Sequence, residues 1–91
     1  MSREVRLHSS AAKFLDELDK RVKDHIKTTL RQLENDPFRS RPGVDIKRLK
    51  GTKGRRNLFR LRVGDYRVIY DVDEKVVWVT EIFHRGKGYR I

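Results

Sequence analysis

A chain of 91 residues suits one small domain, whose modest core excludes a large enclosed cavity and favours a site at the surface. With 23 Lys and Arg against 13 Asp and Glu, the net charge of +10 indicates a polyanionic partner: nucleic acid, an acidic protein or an anionic membrane surface. The chain has no cysteine for disulfide or thiolate chemistry, and no apolar run typical of a signal peptide or membrane span, so we expect one cytoplasmic domain over residues 1–91.

The first half of the chain predicts a strand followed by two helices. Residues 4–8 alternate polar and apolar, which is typical of a short strand. The serine pair that begins at Ser9 is suited to cap a helix over 10–18, and Asp19 is suited to cap a second helix over 20–35. Both segments carry apolar residues at helical spacing, and a very short link joins them. We therefore expect an antiparallel helical hairpin.

The second half predicts strands only. A loop over 38–43 leads to a short strand over 44–50, and a basic, glycine-containing loop over 51–56 leads to a β-hairpin over 59–70. A last strand follows over 75–83. The predicted fold is α+β, with the N-terminal strand and the helical hairpin packed on one face of an antiparallel β-sheet.

The hairpin is the most informative stretch, because apolar and polar residues alternate on both of its arms around Gly64-Asp65. A two-residue turn there fixes which residues lie opposite each other. The predicted pairs are Val63 with Tyr66, Arg62 with Arg67, Leu61 with Val68, Arg60 with Ile69, and Phe59 with Tyr70.

Opposite residues share a face of the sheet, so one face of this hairpin carries Arg60, Arg62, Arg67 and Ile69. We call it the arginine face. Like charges opposite each other destabilise a sheet, which favours a role in binding an anion. The alternative is a solvated surface, since 40% of the residues are charged.

The register of the last strand decides which residues border the arginine face. A two-residue turn at Asp73-Glu74 pairs Ile69 with Trp78 and Arg67 with Thr80, which also brings His84 to this face. A bulge or a one-residue slip exchanges His84 for Arg85. Both residues therefore remain candidates.

Arginine suits phosphate because its planar fork of donors stays charged, and several arginines around one phosphodiester would stabilise a cleavage transition state. No histidine pair has metal-ligand spacing, so we expect no metal. RNA carries its own nucleophile, the 2′-OH, and His84 is the candidate for proton transfer near neutral pH. Tyr89 and Trp78 are expected either to stack on a base or to pack against the sheet.

These residues resemble the RelE/ParE superfamily of toxin–antitoxin toxins, and specifically its RelE branch. The resemblance covers nearly the whole chain. It is most specific in the run from Phe59 to Tyr70 and in the ending His84-Arg85 with Tyr89, and it includes the segment from Ile46 to Gly51. It implies helices packed on an antiparallel sheet.

The resemblance also implies a ribosome-dependent endoribonuclease that cleaves mRNA in the A site of the small subunit by 2′-OH attack, without a metal or small-molecule cofactor. A cognate RelB-type antitoxin is the implied inhibitor, and no membrane partner is implied. Arg67 matches the arginine that stabilises the transition state, Arg85 the arginine near the leaving group, and Tyr89 the tyrosine that stacks on the substrate.

The chain departs from the best-known members at Arg60 and Arg62, which stand where those members carry two lysines. Arginine binds phosphate but does not lose a proton in practice, so a general base is not expected at these positions. Lys50 and Lys87 are further candidates for phosphate contact. The alternatives are a ParE-like gyrase inhibitor without nuclease activity and a plain nucleic-acid-binding module.

Overall fold

The computed structural model describes residues 2–49 and 58–87. The predicted basic loop over 51–56, together with Lys50 and Tyr89, lies outside the described residues. The elements in chain order are β1 (Glu4–Leu7), α1 (Ser9–Asp16), α2 (Lys20–Gln32), β2 (Asp45–Arg48), β3 (Leu58–Val63), β4 (Tyr66–Val72), β5 (Val76–His84) and a 3₁₀ turn (Arg85–Lys87).

The strands form one sheet in the order β1-β5-β4-β3-β2. The pairs from β2 to β5 are antiparallel, as predicted, but β1 joins the edge of the sheet parallel to β5, so the sheet is mixed. The reason is connectivity: the chain leaves β1 through two helices, and a crossover of this kind brings parallel strands together. The α+β class predicted from the sequence is confirmed.

The core lies between the helices and one face of the sheet. Side chains alternate along the strands, apart from one irregularity in β5, so about every second side chain faces the helices, and each helix contributes one apolar stripe. The buried apolar side chains of this core include Ala11, Leu15, Ile26, Leu30 and Leu33 from the helical region and Leu61, Val68, Tyr70, Val77 and Val79 from the sheet. The opposite face of the sheet carries the arginines.

The helix boundaries differ from those predicted. His8, not a serine, is the N-cap of α1, and neither His8 nor Asp19 makes a side-chain capping bond. Helix α2 ends at Gln32, three residues early. The guanidinium of Arg41 donates to the Gln32 carbonyl (2.9 Å), which satisfies a helix end that the sequence pattern does not mark.

The loop between α2 and β2 is fixed to the core by Tyr70, whose hydroxyl donates to the Pro37 carbonyl at 2.7 Å. The ring of Tyr70 is fully buried, and this burial raises the pKa of its phenol above the usual range. The loop ends in a turn at Pro42-Gly43, where Gly43 adopts φ +80°. Strand β2 ends at Arg48, which agrees with the mixed parity of its apolar residues.

Candidate nucleic-acid interface

The β3–β4 hairpin has the register predicted from the sequence. All five predicted pairs are present, including Arg62 opposite Arg67 and Arg60 opposite Ile69. Gly64 takes φ +57°, a left-handed conformation that glycine adopts without steric penalty. The arginine face is therefore a real surface of the sheet, on the side away from the helices.

Strand β2 extends this face with two residues that the sequence analysis did not single out. Asp45 lies opposite Arg62, and Lys47 lies opposite Arg60. They flank the buried Ile46 at a spacing of two, which is the sequence signal that identifies them.

The predicted turn at Asp73-Glu74 is wrong by one residue. The Asp73 carboxylate accepts hydrogen bonds from the backbone N–H groups of Lys75 (2.9 Å) and Val76 (2.8 Å), so the turn centres one residue later. These bonds hold the pKa of Asp73 below its usual value. As a result Asp71, not Ile69, lies opposite Trp78.

A β-bulge then changes the register within β5. Tyr70 pairs with Val79 but Ile69 pairs with Glu81, which leaves Thr80 as the extra residue. The Thr80 hydroxyl donates to the Ile69 carbonyl at 3.3 Å and so stabilises the bulge. Beyond this point, the side chains of β5 are on the opposite face from the one a regular strand would give them.

The bulge decides between the two candidates at the end of β5. His84 lies opposite Tyr66, on the helix side of the sheet, and Arg67 lies opposite Phe83. The next position, Arg85, therefore belongs to the arginine face. The alternative with a bulge is confirmed. The regular register is wrong, and with it the placement of His84 on the arginine face.

Arg67 lies at the centre of the arginine face. Its Nη1 donates to the carbonyls of Gly64 and Tyr66, both at 3.1 Å, which folds the guanidinium along the hairpin turn. Partial burial lowers its pKa, and so do the positive charges of Arg62, Arg60 and Arg85. These four arginines thus share one electrostatic environment of excess positive charge. A guanidinium has five N–H donors, more than the two bonds use.

Arg85 is held by the same hairpin turn. Its backbone N–H donates to the Asp65 carbonyl at 2.8 Å, and its Nε lies 3.4 Å from the Asp65 carboxylate. Both side chains are more than half exposed, so the ion pair contributes little stability and leaves Arg85 accessible. The turn Gly64-Asp65 therefore positions Arg67 and Arg85 together.

Arg60 and Arg62 differ in their surroundings. Arg62 is exposed, whereas the Arg60 side chain is only 26% exposed and forms a long contact, 3.5 Å, with the Asp45 carboxylate. The Nε of Arg60 is buried and has no hydrogen-bond partner among residues 2–49 and 58–87. A buried donor left unpaired costs about 1–3 kcal/mol, so Arg60 is held at some expense of stability.

On the helix side of the sheet, His84 has a defined orientation. Its ring meets the ring of Tyr66 edge-on at 5.1 Å, and its Nδ1 accepts the backbone N–H of Gly86 at 2.9 Å. A side chain at position 86 would come within 3.1 Å of the imidazole, so glycine permits this contact. Because Nδ1 is an acceptor, the neutral ring carries its proton on Nε2.

Lys87 ends the 3₁₀ turn that follows β5. In the described part of the chain, no group of three or more His, Asp or Glu side chains could hold a metal ion, and no helix is long and apolar enough to cross a membrane.

Residues 5–89 match the family model described as the ParE toxin of a type II toxin–antitoxin system, parDE. This match extends over nearly all of the chain. The chain belongs to the RelE/ParE superfamily of type II toxins. The chain is 30% identical over 88 residues to a protein named toxin RelE1 from Methanocaldococcus jannaschii. The alignment covers 94% of this chain and 93% of the relative.

Solved structures of RelE-type toxins share the fold of this superfamily member. The RelE–RelB complex of Pyrococcus horikoshii OT3 matches with a TM-score of 0.79 and 34% identity, over 97% of this chain and 100% of the other. The RelBE2 toxin–antitoxin complex of Mycobacterium tuberculosis matches with a TM-score of 0.75 and 25% identity, over 93% and 100%. The predicted RelE-like fold is confirmed.

Proposed function

We propose that this RelE-like toxin is a ribosome-dependent endoribonuclease that cleaves mRNA in the A site of the small subunit. The observation that carries the proposal is the arginine face, on which Arg60, Arg62, Arg67 and Arg85 share one environment. Such a cluster is unfavourable in the free protein and becomes favourable when a phosphodiester lies among its members.

In this mechanism the 2′-OH of one nucleotide attacks the adjacent phosphorus, and the bond from phosphorus to the 5′-oxygen breaks. Arg67 and Arg62 stabilise the negative charge that grows on the non-bridging oxygens, with Arg60 beside them. Arg85 stabilises the charge that develops on the leaving 5′-oxygen. The products are a 2′,3′-cyclic phosphate and a free 5′-hydroxyl, and the step needs no metal ion.

The 2′-OH must lose a proton and the 5′-oxygen must gain one. The arginines cannot supply this exchange, because they remain protonated. His84 is proposed to donate a proton from Nε2 to the 5′-oxygen in its imidazolium form, and the RNA or the ribosome accepts the proton of the 2′-OH. Tyr89 is proposed to stack on the substrate base, and Lys50 and Lys87 to contact phosphates.

The partners follow from the same proposal. The solved RelE–RelB complexes from Pyrococcus horikoshii and Methanococcus jannaschii pair a RelE toxin with a RelB antitoxin, and we propose an acidic RelB-type antitoxin for this toxin. An antitoxin that covers the arginine face would neutralise part of the charge of +10. The toxin is proposed to act in the cytoplasm, where it meets translating ribosomes.

The test is primer extension on mRNA from a translating extract that contains purified wild-type protein, Arg67→Ala or Arg85→Ala. Wild-type protein should produce cuts at the A site with 5′-hydroxyl ends, and both variants should not. Translation that stops without any such cuts would contradict the nuclease mechanism.

A second function is favoured by one observation: the matching family model is that of the ParE toxins. A ParE-like toxin would inhibit DNA gyrase by binding it, without nuclease activity. Supercoiling by purified gyrase with added toxin separates the two functions, because a ribosome-dependent nuclease leaves supercoiling unchanged.

A further inference from the structure

Three planar side chains meet at the edge of the sheet formed by β1 and β5. The guanidinium carbon of Arg6 lies over the indole of Trp78, 5.8 Å from the ring centroid. The imidazole of His8 approaches the same indole edge-on, with centroids 5.5 Å apart and an interplanar angle of 69°. This cluster contains the single tryptophan of the chain.

The cluster lies on the same face of the sheet as the arginines. Arg6 is opposite Trp78, and Trp78 is opposite Asp71. Asp71 and Arg67 are four residues apart on β4, so both point to the same side. The neighbours of Trp78, Val77 and Val79, are fully buried on the helix side.

This position argues against core packing as the main role of Trp78. The indole is partly exposed and lies outside the layer between the helices and the sheet. Trp78 is displaced from Arg67 by four residues along the strand and by one strand across the sheet, which corresponds to roughly 14 Å. A few nucleotides of single-stranded RNA span this distance. Buried Ile69 lies between the two positions and gives the surface an apolar floor.

The charged neighbours of the cluster allow an anion to approach. Arg6 forms an ion pair with Glu4 at 3.0 Å, but both side chains are more than half exposed. Such a pair is weak, so the guanidinium is able to turn towards a phosphate. The acidic residues between the cluster and Arg67, Asp71 and Glu81, each have an interaction partner within the protein.

We propose that Trp78 is a stacking platform for a base of single-stranded RNA, a few nucleotides from the phosphate bound at Arg67, and that Arg6 contacts the neighbouring phosphate. This inference rests on the proposed function, which it extends from one scissile phosphate to a strand lying across the open face. An indole beside an arginine suits this ligand, because bases of any sequence stack on an aromatic face while the backbone meets the cation.

The single tryptophan makes the test direct, since fluorescence excited at wavelengths where the three tyrosines do not absorb reports on Trp78 alone. The probe is a short 2′-O-methyl oligonucleotide, which has no 2′-OH nucleophile and cannot be cleaved. Its control is an abasic oligomer with the same 2′-O-methyl backbone. The base-containing oligomer should quench the fluorescence saturably, and the abasic oligomer should bind with little quenching.

Affinity for a labelled oligomer provides the second measurement. Trp78→Ala should weaken binding by about 5- to 150-fold, the range expected for loss of one stacked base, and Trp78→Phe should retain most of the affinity. Phe38→Ala is the matched control. Phe38 is also an exposed aromatic residue beneath an arginine, with Arg3 at 5.2 Å, but it packs against Phe59 on the helix side.

The outcomes separate this inference from the proposed function. Binding that depends on Arg67 but gives no base-dependent quenching overturns the role of Trp78 and leaves the phosphate site intact. Equal effects of Trp78→Ala and Phe38→Ala also overturn it. Base-dependent quenching without mRNA cleavage in the translating extract supports the stacking platform and contradicts the nuclease.

Discussion

Arg67 is the residue on which the proposed chemistry depends most. It shares its environment with three other arginines, and the hairpin turn fixes its orientation through two hydrogen bonds. Lysine in its place would keep the charge but lose the planar fork that binds two phosphate oxygens at once. The geometry of the guanidinium therefore matters as much as its charge.

We expect Arg67→Ala to reduce the rate of mRNA cleavage about 10²- to 10³-fold, as when one donor to a developing oxyanion is removed. Arg67→Lys should lie between this variant and the wild type. The measurement is the rate of product formation on programmed ribosomes, with circular dichroism to verify folding. A lysine variant as active as the wild type would contradict a role for the fork.

Arg62→Gln should make the protein more stable and less active. Removing one of two like charges that face each other across the β3–β4 pair is expected to add about 0.2–1 kcal/mol to the free energy of unfolding. Urea denaturation measures this gain. Lys27→Gln, an exposed substitution on α2, is the control for the loss of one positive charge. An equal increase in the free energy of unfolding in that variant would show that net charge alone causes the effect.

At the scale of elements, the sequence predicts what depends on local pattern. Strict alternation around Gly64-Asp65 gives the hairpin register correctly, because a slip of one residue would expose the core face. The register of β5 depends on the Asp73 carboxylate and on the bulge at Thr80, neither of which leaves a periodic signal. The parallel pairing of β1 follows from the crossover through the two helices, which no local pattern in β1 marks.

In the candidate site too, the local sequence pattern predicts some features, whereas others depend on tertiary contacts. The pattern predicts Arg60, Arg62 and Arg67 on one face, but the choice between His84 and Arg85 requires the bulge. The role of Asp65 in holding Arg85 involves a contact across two strand ends, which a one-dimensional pattern does not contain. The roles of Tyr89 and Lys50 remain predictions.

Tyr70 links the sheet to the loop between α2 and β2, and Tyr70→Phe tests that link. Loss of the hydroxyl leaves the Pro37 carbonyl without this buried donor and should lower the free energy of unfolding by about 1–3 kcal/mol. Thermal and urea denaturation at neutral pH measure the loss.

The same substitution should change the response to alkali. Burial raises the pKa of the Tyr70 phenol in the folded state. The protonated phenol therefore contributes fully to the free energy of unfolding below the pKa of the unfolded phenol, about 10, and this contribution is lost as pH rises beyond it. The variant should lose stability less steeply above this pH. If the free energy of unfolding fell equally steeply with pH in the variant and the wild type, Tyr70 would not be the group responsible.

At the scale of the whole molecule, the charge of +10 acts together with the open face of the sheet. The helices cover one side of the sheet, and the positive residues of β3 and β4 lie on the other. A polyanion bound there would release its counterions, so binding should weaken steeply as salt is added.

For a single-stranded oligonucleotide that contacts four arginines, the plot of log K against log salt concentration should have a slope of roughly −3. Arg62→Gln should reduce the magnitude of the slope by about 0.7, one phosphate contact, whereas Lys27→Gln should not change it. Fluorescence anisotropy over a salt series measures both. A slope unaffected by Arg62→Gln would place the strand elsewhere.

The parallel pairing of β1 with β5 has a consequence for how the protein forms. Glu4 lies opposite Val76, so the contact that completes the sheet joins segments at the two ends of the described chain. Such contacts have high contact order and form slowly, because a long loop must close first. During synthesis β1 waits for β5 to emerge, and Arg85 follows β5 directly. The edge strand β1 and Arg85 are therefore the last parts of the sheet to take their places, after the local β3–β4 hairpin that carries Arg60, Arg62 and Arg67.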